Sequence, residues 1–382
     1  MQLTDVTDAL SLTRQMIDIP SVSGEEGPLA DAVEDALRGA GFGTLDSLEI
    51  LRDGDAVCAR TQLGLPERVV LAGHLDTVPI ADNVPGRTEM RDGQEVVWGR
   101  GSVDMLGGCA AALALACEAG VLIAGGAPDP LTADVTWIFY DHEEVASHLN
   151  GLGRIERNHP QWLAGDLALL GEPTAAHVEG GCNGTLRVIA HFPGRAAHSA
   201  RAWMGQNAIH AMAPVIERIA SFGNPIVEVD GLEFRESLSV VRVDGGVANN
   251  VIPEAASLTV NYRFAPSMRA DDALAWVRDF FDGTGARIDV DDLCEGARPG
   301  ADSPVAQRFL RVAREVACER GAELRLSAKV GWTDVARFTQ VGVPAMNFGP
   351  GDPLLAHTRD EHTPVSDILR VHATLRAFLL AL

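Results

Sequence analysis

Residues 134–144 read DVTWIFYDHEE, an apolar run that changes at once into a cluster of acidic side chains around a histidine. Two shorter apolar runs, RVVLA at residues 68–72 and DLALL at residues 166–170, also end just before polar residues. Runs of this kind predict buried strands. A helical stretch at residues 107–119 separates the first two strands. Strands that alternate with helices predict an α/β sheet, which binds ligands at the carboxyl ends of its strands. The polar clusters occupy that edge.

A different pattern begins near residue 178. The elements predicted there are a strand at 184–192, a helix at 206–220, strands at 237–243 and 256–264, a helix at 271–281 and one further strand. This order resembles a β-α-β-β-α-β ferredoxin-like α+β unit. Elements of the first type return at residues 304–319, 345–348 and 366–380. We therefore predict a catalytic domain of residues 1–177 and 292–382, interrupted by an inserted domain of residues 178–291.

The composition excludes several classes of partner. The 382-residue chain carries a formal net charge of −22, whereas a nucleic-acid surface needs gathered lysines and arginines. The first ten residues lack the features of a signal peptide, and no segment offers about 18 consecutive apolar residues. The six cysteines are far apart and form no C-x-x-C pair. We expect a soluble, cytoplasmic protein with reduced thiols that binds neither nucleic acid nor membrane.

Two polar clusters contain candidate metal ligands. His74 follows the strand at 68–72, and Asp76 could hold the second nitrogen of its imidazole, as carboxylates beside metal ligands do. Asp104 lies among glycines just before the predicted helix, where its two oxygens could bridge two metals. Each signal also has an ordinary interpretation, as a turn histidine and as a helix N-cap.

The other candidates follow the predicted strands at 134–140 and 166–170 or lie near the carboxyl terminus. Glu143 and Glu144 are adjacent at a strand end, so one can bind metal while the other faces the substrate water. Glu172 follows residues 166–170, and His357 lies in the segment AHTRDEHTP. Imidazoles and carboxylates without thiolates suit Zn²⁺, with Co²⁺ or Mn²⁺ as substitutes, and two such ions make a hydrolytic site.

This order of His, Asp, Glu-Glu, Glu and His resembles the M20 family of metallopeptidases and deacylases over essentially the whole chain. The resemblance implies a zinc-peptidase-like catalytic domain with a mixed sheet flanked by helices. It also implies two zinc ions per subunit, one held by His74, Asp104 and Glu172, and one held by Asp104, Glu144 and His357. Glu143 would be the general acid and base.

The same resemblance implies that the inserted domain is a lid and the dimerisation domain of a homodimer. In the family, a histidine of the segment that resembles GRAAHSA here reaches into the partner subunit's active site. By that match His198 is a candidate oxyanion donor.

Substrate-binding residues are suggested by the desuccinylase and acetylornithine-deacetylase branch of the family. Segments around Asn250 and Arg263 resemble that branch, in which an Asn and an Arg of the insert meet the substrate. A guanidinium can pair with a carboxylate through two hydrogen bonds, although an ordinary surface arginine is the competing interpretation. Gly331 and Thr333 lie in a segment that resembles a substrate-side loop of the same branch.

The tract FYDHEEV at residues 139–145 most resembles actinobacterial desuccinylases, which implies removal of a succinyl group from N-succinyl-LL-2,6-diaminopimelate. Leu106 replaces a lysine that many relatives carry, and Cys182 and Asn183 occupy positions where some desuccinylases have arginines. Other N-acyl amino acid substrates therefore stay open, as for an acetylornithine deacetylase, an aminoacylase or a dipeptidase. A metal-binding scaffold without catalysis is the alternative of another class. The other histidines, His142 among them, receive no catalytic role.

Overall fold

The computed structural model describes residues 2–127 and 129–381 and divides into two compact units. The first unit comprises the described residues of 1–180, 300–327 and 337–382, and the second comprises Gly181–Pro299 and Ala328–Ala336. The predicted boundary after residue 291 is wrong because it cuts the strand Arg287–Cys294, whose hydrogen-bonded partner is the strand Gly184–Pro193. The insert therefore continues to Pro299.

The helices and strands agree with the predicted elements and add several others. The α-helices of the described residues are α1 Ala9–Ile17, α2 Gly27–Gly39, α3 Leu106–Ala124, α4 Gly151–Asn158, α5 Ala208–Ala220, α6 Ala270–Phe280, α7 Pro304–Glu319, α8 Val335–Gln340 and α9 Val365–Leu379. The strands are β1 Leu48–Asp53, β2 Ala56–Thr61, β3 Arg68–His74, β4 Arg87–Arg91, β5 Gln94–Trp98, β6 Asp134–Tyr140, β7 Leu167–Leu170, β8 Val178–Gly180, β9 Gly184–Pro193, β10 Ile226–Val229, β11 Leu232–Arg235, β12 Ser237–Gly245, β13 Ala255–Phe264, β14 Arg287–Cys294, β15 Leu326–Ala328, β16 Ala345–Asn347 and β17 His362–Pro364.

The first unit is built on a mixed sheet with the strand order β1-β2-β6-β3-β7-β16-β8-β15. β3 pairs in parallel with β6 and with β7, and β7 pairs in parallel with β16. All seven residues of β6 and all four of β7 are buried, as expected for parallel strands covered on both faces. The predicted α/β class with a mixed sheet and flanking helices is confirmed.

Helix α3 packs against β3, β6 and the helices α1, α2 and α9. By length and composition alone it could cross a membrane, with a mean hydropathy of 1.9. Glu118 interrupts its apolar run, so the expectation that no segment offers about 18 consecutive apolar residues holds. However, 78% of the apolar stretch is buried inside the protein. The apolar surface of α3 is therefore used in the core.

The parallel register brings three strand ends to one edge. His74 of β3 lies opposite Tyr140 of β6, and Ala72 of β3 lies opposite Leu170 of β7. The residues that follow each strand therefore leave the sheet at the same edge, as the sequence predicts.

The second unit contains a four-stranded antiparallel sheet with the order β12-β13-β9-β14. Helix α5 packs on β9, β12 and β13, and α6 packs on β9 and β14. Alternate residues of the sheet form a separate core with these helices, and its members include Val188, Leu258, Tyr262, Met212 and Val277. The chain order is the ferredoxin-like one, with the hairpin β10–β11 added before β12.

Helix α3 approaches the end of β7 so closely that only glycine fits. A Cβ added at Gly108 would lie 2.1 Å from the carbonyl oxygen of Gly171. We predict that Gly108→Ala forces α3 away from the sheet and destabilises the protein by about 1–3 kcal/mol, the usual cost of overpacking.

Gly39→Ala in α2 is the matched control, because a Cβ there meets nothing within 4 Å. It should be neutral or stabilising by up to about 1 kcal/mol. Urea unfolding of the two variants measures the difference. Equal stabilities would contradict the close approach.

Candidate active site

Five side chains at one edge of the sheet form two donor groups that share a residue. His74, Asp104 and Glu172 form one group, and Asp104, Glu144 and His357 form the other. Within each group the ligand atoms all lie within 4.8 Å of one another. The structure thus brings together all five residues that the sequence singled out as candidate metal ligands.

Each residue is placed by the end of an element. His74 ends β3, Glu172 lies two residues after β7, and Glu144 lies four residues after β6. Asp104 lies in the turn before α3, and His357 lies in the loop between β16 and β17, with a backbone φ of 63°. His74 is buried, whereas the side chain of His357 is 50% exposed.

Asp104 faces one imidazole with each of its oxygens. Its Oδ1 lies 3.2 Å from Nε2 of His74, and its Oδ2 lies 3.2 Å from Nε2 of His357. The same nitrogen of His357 lies 2.8 Å from Oε1 of Glu144. A carboxylate that turns its two oxygens toward two further donor sets is arranged as a bridging ligand. The donors are imidazoles and carboxylates, a set that fits borderline divalent cations. The residues form a candidate dinuclear metal site.

The carboxylates of the site raise the pKa values of both candidate histidine ligands. Hydrogen bonds to Asp104 and Glu144 raise the pKa of His357 to about 10. Burial alone would lower the pKa of His74, but hydrogen bonds to Asp104 and Asp76 raise it above its ordinary value. Burial would likewise raise the pKa of Asp104, yet its bonds to the two imidazoles hold it well below the usual range. A divalent cation bound here would replace protons on the imidazoles, because metal ligands bind in their deprotonated forms.

The carboxylate of Asp76 has a different main contact from the one expected. Nδ1 of His74 lies 2.9 Å from the backbone oxygen of Asp76 but 3.5 Å from its Oδ1. The two carboxylate oxygens instead accept hydrogen bonds from the backbone N–H groups of Glu143 and Glu144, at 2.9 and 3.0 Å, and Oδ2 accepts one from the Ser23 hydroxyl. Burial opposes its charge, but these donors and His74 lower the pKa of Asp76 to about 2. Asp76 therefore fixes the turn that carries both glutamates.

Glu143 and His142 lie beside the two donor groups. Among the described residues, Glu143 belongs to neither group, and its side chain is partly exposed. Nδ1 of His142 lies 2.7 Å from Oδ2 of Asp141 and 3.4 Å from Oε1 of the buried Glu26. These contacts hold His142 in the same turn that carries Glu143.

Two buried residues beside the candidate ligands carry no recognisable pattern in the sequence. Arg100 and Glu361 are almost fully buried and form an ion pair with an N–O distance of 2.6 Å. Their only signals in the sequence are positions beside the predicted ligands: Arg100 precedes Asp104 by four residues, and Glu361 follows His357 by four. Neither signal specifies a pairing partner.

The remaining predicted residues belong to the second unit. His198 and Asn250 are exposed and lie in neighbouring segments, because the N–H of Ser199 donates to the carbonyl of Asn250 at 2.8 Å. Arg263 lies on β13, and burial lowers its pKa. Gly331 and Thr333 were expected in the catalytic domain, but they lie in the segment Ala328–Ala336 of the second unit. The reason is local contact: the Cys182 thiol donates to the Thr333 carbonyl at 3.6 Å.

Solved structures share the fold at low sequence identity. A tripeptidase from Staphylococcus aureus aligns with a TM-score of 0.75 and 17% identity over 98% of each chain. A metallo-carboxypeptidase of the M20 family from Sulfolobus solfataricus aligns with a TM-score of 0.75 and 15% identity, over 97% of this chain and 98% of the other. A Bacillus subtilis protein described as a dinuclear metal binding peptidase of the M20 family gives a TM-score of 0.67 and 16% identity, over 98% and 97%. At these identities the likeness concerns the fold alone.

Relatives with higher identity align over nearly the whole chain. A Mycobacterium tuberculosis protein, provisionally named a succinyl-diaminopimelate desuccinylase, is 48% identical over 97% of this chain and 98% of its own length. The succinyl-diaminopimelate desuccinylase of Corynebacterium glutamicum is 45% identical over 97% of this chain and 96% of its own length. The model of peptidase family M20/M25/M40 matches residues 70–381. The chain therefore belongs to the peptidase family M20/M25/M40.

Proposed function

We propose that this chain is a di-zinc amidohydrolase that removes the succinyl group from N-succinyl-LL-2,6-diaminopimelate. The observation that carries the reaction class is the carboxylate of Asp104, shared between two donor groups. The choice of substrate is supported by the names of relatives at 45–48% identity. These relatives align along nearly their whole length, so the comparison covers the second unit as well as the metal site.

The donor sets fit two zinc ions. His74, Asp104 and Glu172 would hold one ion, Asp104, Glu144 and His357 would hold the other, and Co²⁺ or Mn²⁺ could substitute. When bound, such ions polarise an amide carbonyl and lower the pKa of a water molecule toward about 7.

Glu143 is proposed as the general acid and base. Its carboxylate takes a proton from the attacking water, whose oxygen adds to the succinyl carbonyl carbon. The C–N bond then breaks, and Glu143 returns the proton to the leaving amine, so that the products are succinate and the free amino acid. Asp76 holds Glu143 in place through the hydrogen bond to its backbone N–H.

The second unit is proposed to bind the substrate and to form a homodimer. β12 is an edge strand of its sheet, and the side chains of Val241 and Val243 on it are 57% and 53% exposed. An apolar edge strand of this kind favours pairing with a second copy. In that dimer the exposed His198 would donate a hydrogen bond to the oxyanion that forms in the partner's site.

Substrate contacts are proposed for four residues of the second unit. Arg263 would pair with a carboxylate of the substrate. Asn250, Gly331 and Thr333 would contact the rest of the molecule. The net charge of −22 does not oppose an anionic substrate, because such a ligand needs only a local cation. We also propose a cytoplasmic location without nucleic-acid or membrane partners, supported by that charge and by the six free cysteines.

The substrate assay compares N-succinyl-LL-diaminopimelate with N-acetylornithine, using zinc-loaded protein and a chelator-treated control. We expect release of free amine from the succinyl compound, at a kcat/KM at least tenfold higher than for the acetyl compound, and loss of both activities on chelation. Preference for the acetyl substrate would keep the amidohydrolase and reassign the substrate pocket. Bound zinc without hydrolysis of any N-acyl amino acid would contradict the enzyme and favour a scaffold.

Replacement of Glu143 should separate catalysis from metal binding. We predict that Glu143→Ala lowers kcat by about 10²- to 10⁴-fold, the usual contribution of a general acid and base. Its metal content should stay at two ions, because Glu143 belongs to neither donor group. Glu118→Ala is the control. Glu118 lies on α3, pairs with Arg376 and belongs to neither donor group, so this variant should keep full activity. Metal analysis and steady-state kinetics decide the matter, and an active Glu143→Ala variant would refute the assignment.

Mixed dimers test whether His198 acts across subunits. Glu143→Ala and His198→Ala chains should each be nearly inactive. After random exchange, half of the dimers contain one chain of each kind. In such a dimer only the site of the His198→Ala chain is intact, because it keeps Glu143 and receives His198 from its partner. One site in four is therefore intact, and about a quarter of wild-type activity should return. Exchange is verified with differently tagged chains by native mass spectrometry. Complete exchange without recovered activity would count against a shared site.

A further inference from the structure

Three separate loops of the candidate metal site meet at one buried ion pair. Nη1 of Arg100 lies 2.6 Å from Oε2 of Glu361, and the exposed fractions of the two side chains are 4% and 1%. The residues are 261 positions apart in sequence. A buried pair of this kind is weak evidence of stabilisation, because desolvation offsets most of the attraction between the charges. Its use has to be sought in what the two side chains contact.

Glu361 holds the backbone of the Asp104 turn. Its Oε1 accepts hydrogen bonds from the N–H groups of Val103 and Asp104, at 3.0 and 3.1 Å. Its own carbonyl accepts a bond from the N–H of Gly99 at 3.1 Å. One glutamate therefore fixes both ends of the segment that presents the shared carboxylate of Asp104.

Arg100 extends the contact to the two other loops. Its Nε donates to the carbonyl of Pro79 at 3.2 Å, in the loop that follows His74 and Asp76. Its Nη1 donates to the carbonyl of Thr358 at 3.2 Å, and Thr358 directly follows His357. The planar guanidinium can serve these acceptors and Glu361 together, which a lysine ammonium on a flexible stem cannot do equally well.

The strand that follows Glu361 secures its register. In β17, His362 pairs with Trp98 of β5, and the Thr363 hydroxyl donates to the carbonyl of Ser102 at 2.6 Å. Glu361 is therefore held by the sheet on one side and holds the Asp104 turn on the other.

We propose that Arg100 and Glu361 are positioning residues, which set the geometry of Asp104 and His357 as metal ligands. The inference rests on the proposed metal centre and adds two residues that belong to neither donor group. The two donor groups should depend on the pair unequally. His74 is fixed independently by the β3 ladder and by the backbone oxygen of Asp76. The group of Asp104, Glu144 and His357 has two members on loops that the pair holds, so it should be the more sensitive.

The test compares two variants of the pair with a matched control. Arg100→Lys keeps the charge and loses the planar fork. Glu361→Gln keeps the size and places an amide donor against one of its present donors. Asp134→Asn is the control, because Asp134 is also a buried carboxylate that accepts backbone N–H groups, those of Leu63, Gly64 and Leu65. It starts β6 and so lies at the opposite end of that strand from the glutamates.

Zinc titration against a fluorescent chelator gives the two dissociation constants of each protein, and Co²⁺ absorption spectra report the coordination geometry. In both pair variants we expect one of the two dissociation constants, that of the ion held by Asp104, Glu144 and His357, to rise about 10- to 100-fold, the usual effect of losing a partner of a ligand. The other dissociation constant should change less. At limiting zinc kcat should fall with KM within about twofold, and added zinc should restore it. Asp134→Asn should lower the melting temperature and leave both constants unchanged.

Wild-type dissociation constants in both pair variants would overturn the proposal, and lower melting temperatures beside them would leave a structural ion pair. Loss of zinc affinity in Asp134→Asn to the same degree would also overturn it. If Glu361→Gln does not fold, Arg100→Lys decides alone. Wild-type protein that binds fewer than two ions would refute the metal centre itself. Wild-type protein that binds two ions but hydrolyses none of the substrates would refute the proposed activity while the titration still tests the pair.

Discussion

The charge of Asp104, whose side chain is only 15% exposed, is the constraint on which the arrangement around it depends. A carboxylate largely removed from water keeps its charge at neutral pH only where donors or cations surround it. Here two imidazoles face its oxygens, and its own backbone N–H is held by Glu361. The loops that supply these groups are far apart in the chain, so the sheet and the hairpin strands must bring them to one place.

The sheet solves this problem through the parallel register of β3, β6 and β7, which aligns three strand ends. Close contacts between backbone segments then bring the Asp104 turn beside the segment that carries Glu172. Gly108 of α3 meets Gly171 after β7, and a Cβ added at Gly349 would also lie 2.1 Å from the Gly171 carbonyl oxygen. The turn that begins α3 and the segment that carries Glu172 can lie side by side because glycines leave room between them. The same close backbone contacts therefore pack the first unit and set the geometry of the candidate site.

The second unit has a hydrophobic core of its own, formed by alternate residues of β9 and β13 with α5 and α6. A unit with its own core can carry substrate-binding and dimerisation roles without disturbing the packing of the first unit. The roles proposed for this unit rest on the exposed positions of His198 and Asn250 and on the exposed valines of the edge strand β12.

The sequence by itself determined much of this protein, because strands, helices and ligands leave local patterns. Apolar runs followed by His74, by Glu143 and Glu144, and by Glu172 marked both the sheet and the edge that carries the candidate metal site. The alternation of elements after residue 178 marked the ferredoxin-like unit. Local patterns do not record which distant residues pair. Only the tertiary structure decided that the Asp76 carboxylate contacts the backbone of the two glutamates. It also decided that Arg100 pairs with Glu361 across 261 positions, and that Ala328–Ala336 joins the second unit. Each of these three features depends on hydrogen bonds between segments far apart in the chain. Local sequence does not specify such pairs, because the partners meet only when the chain is packed.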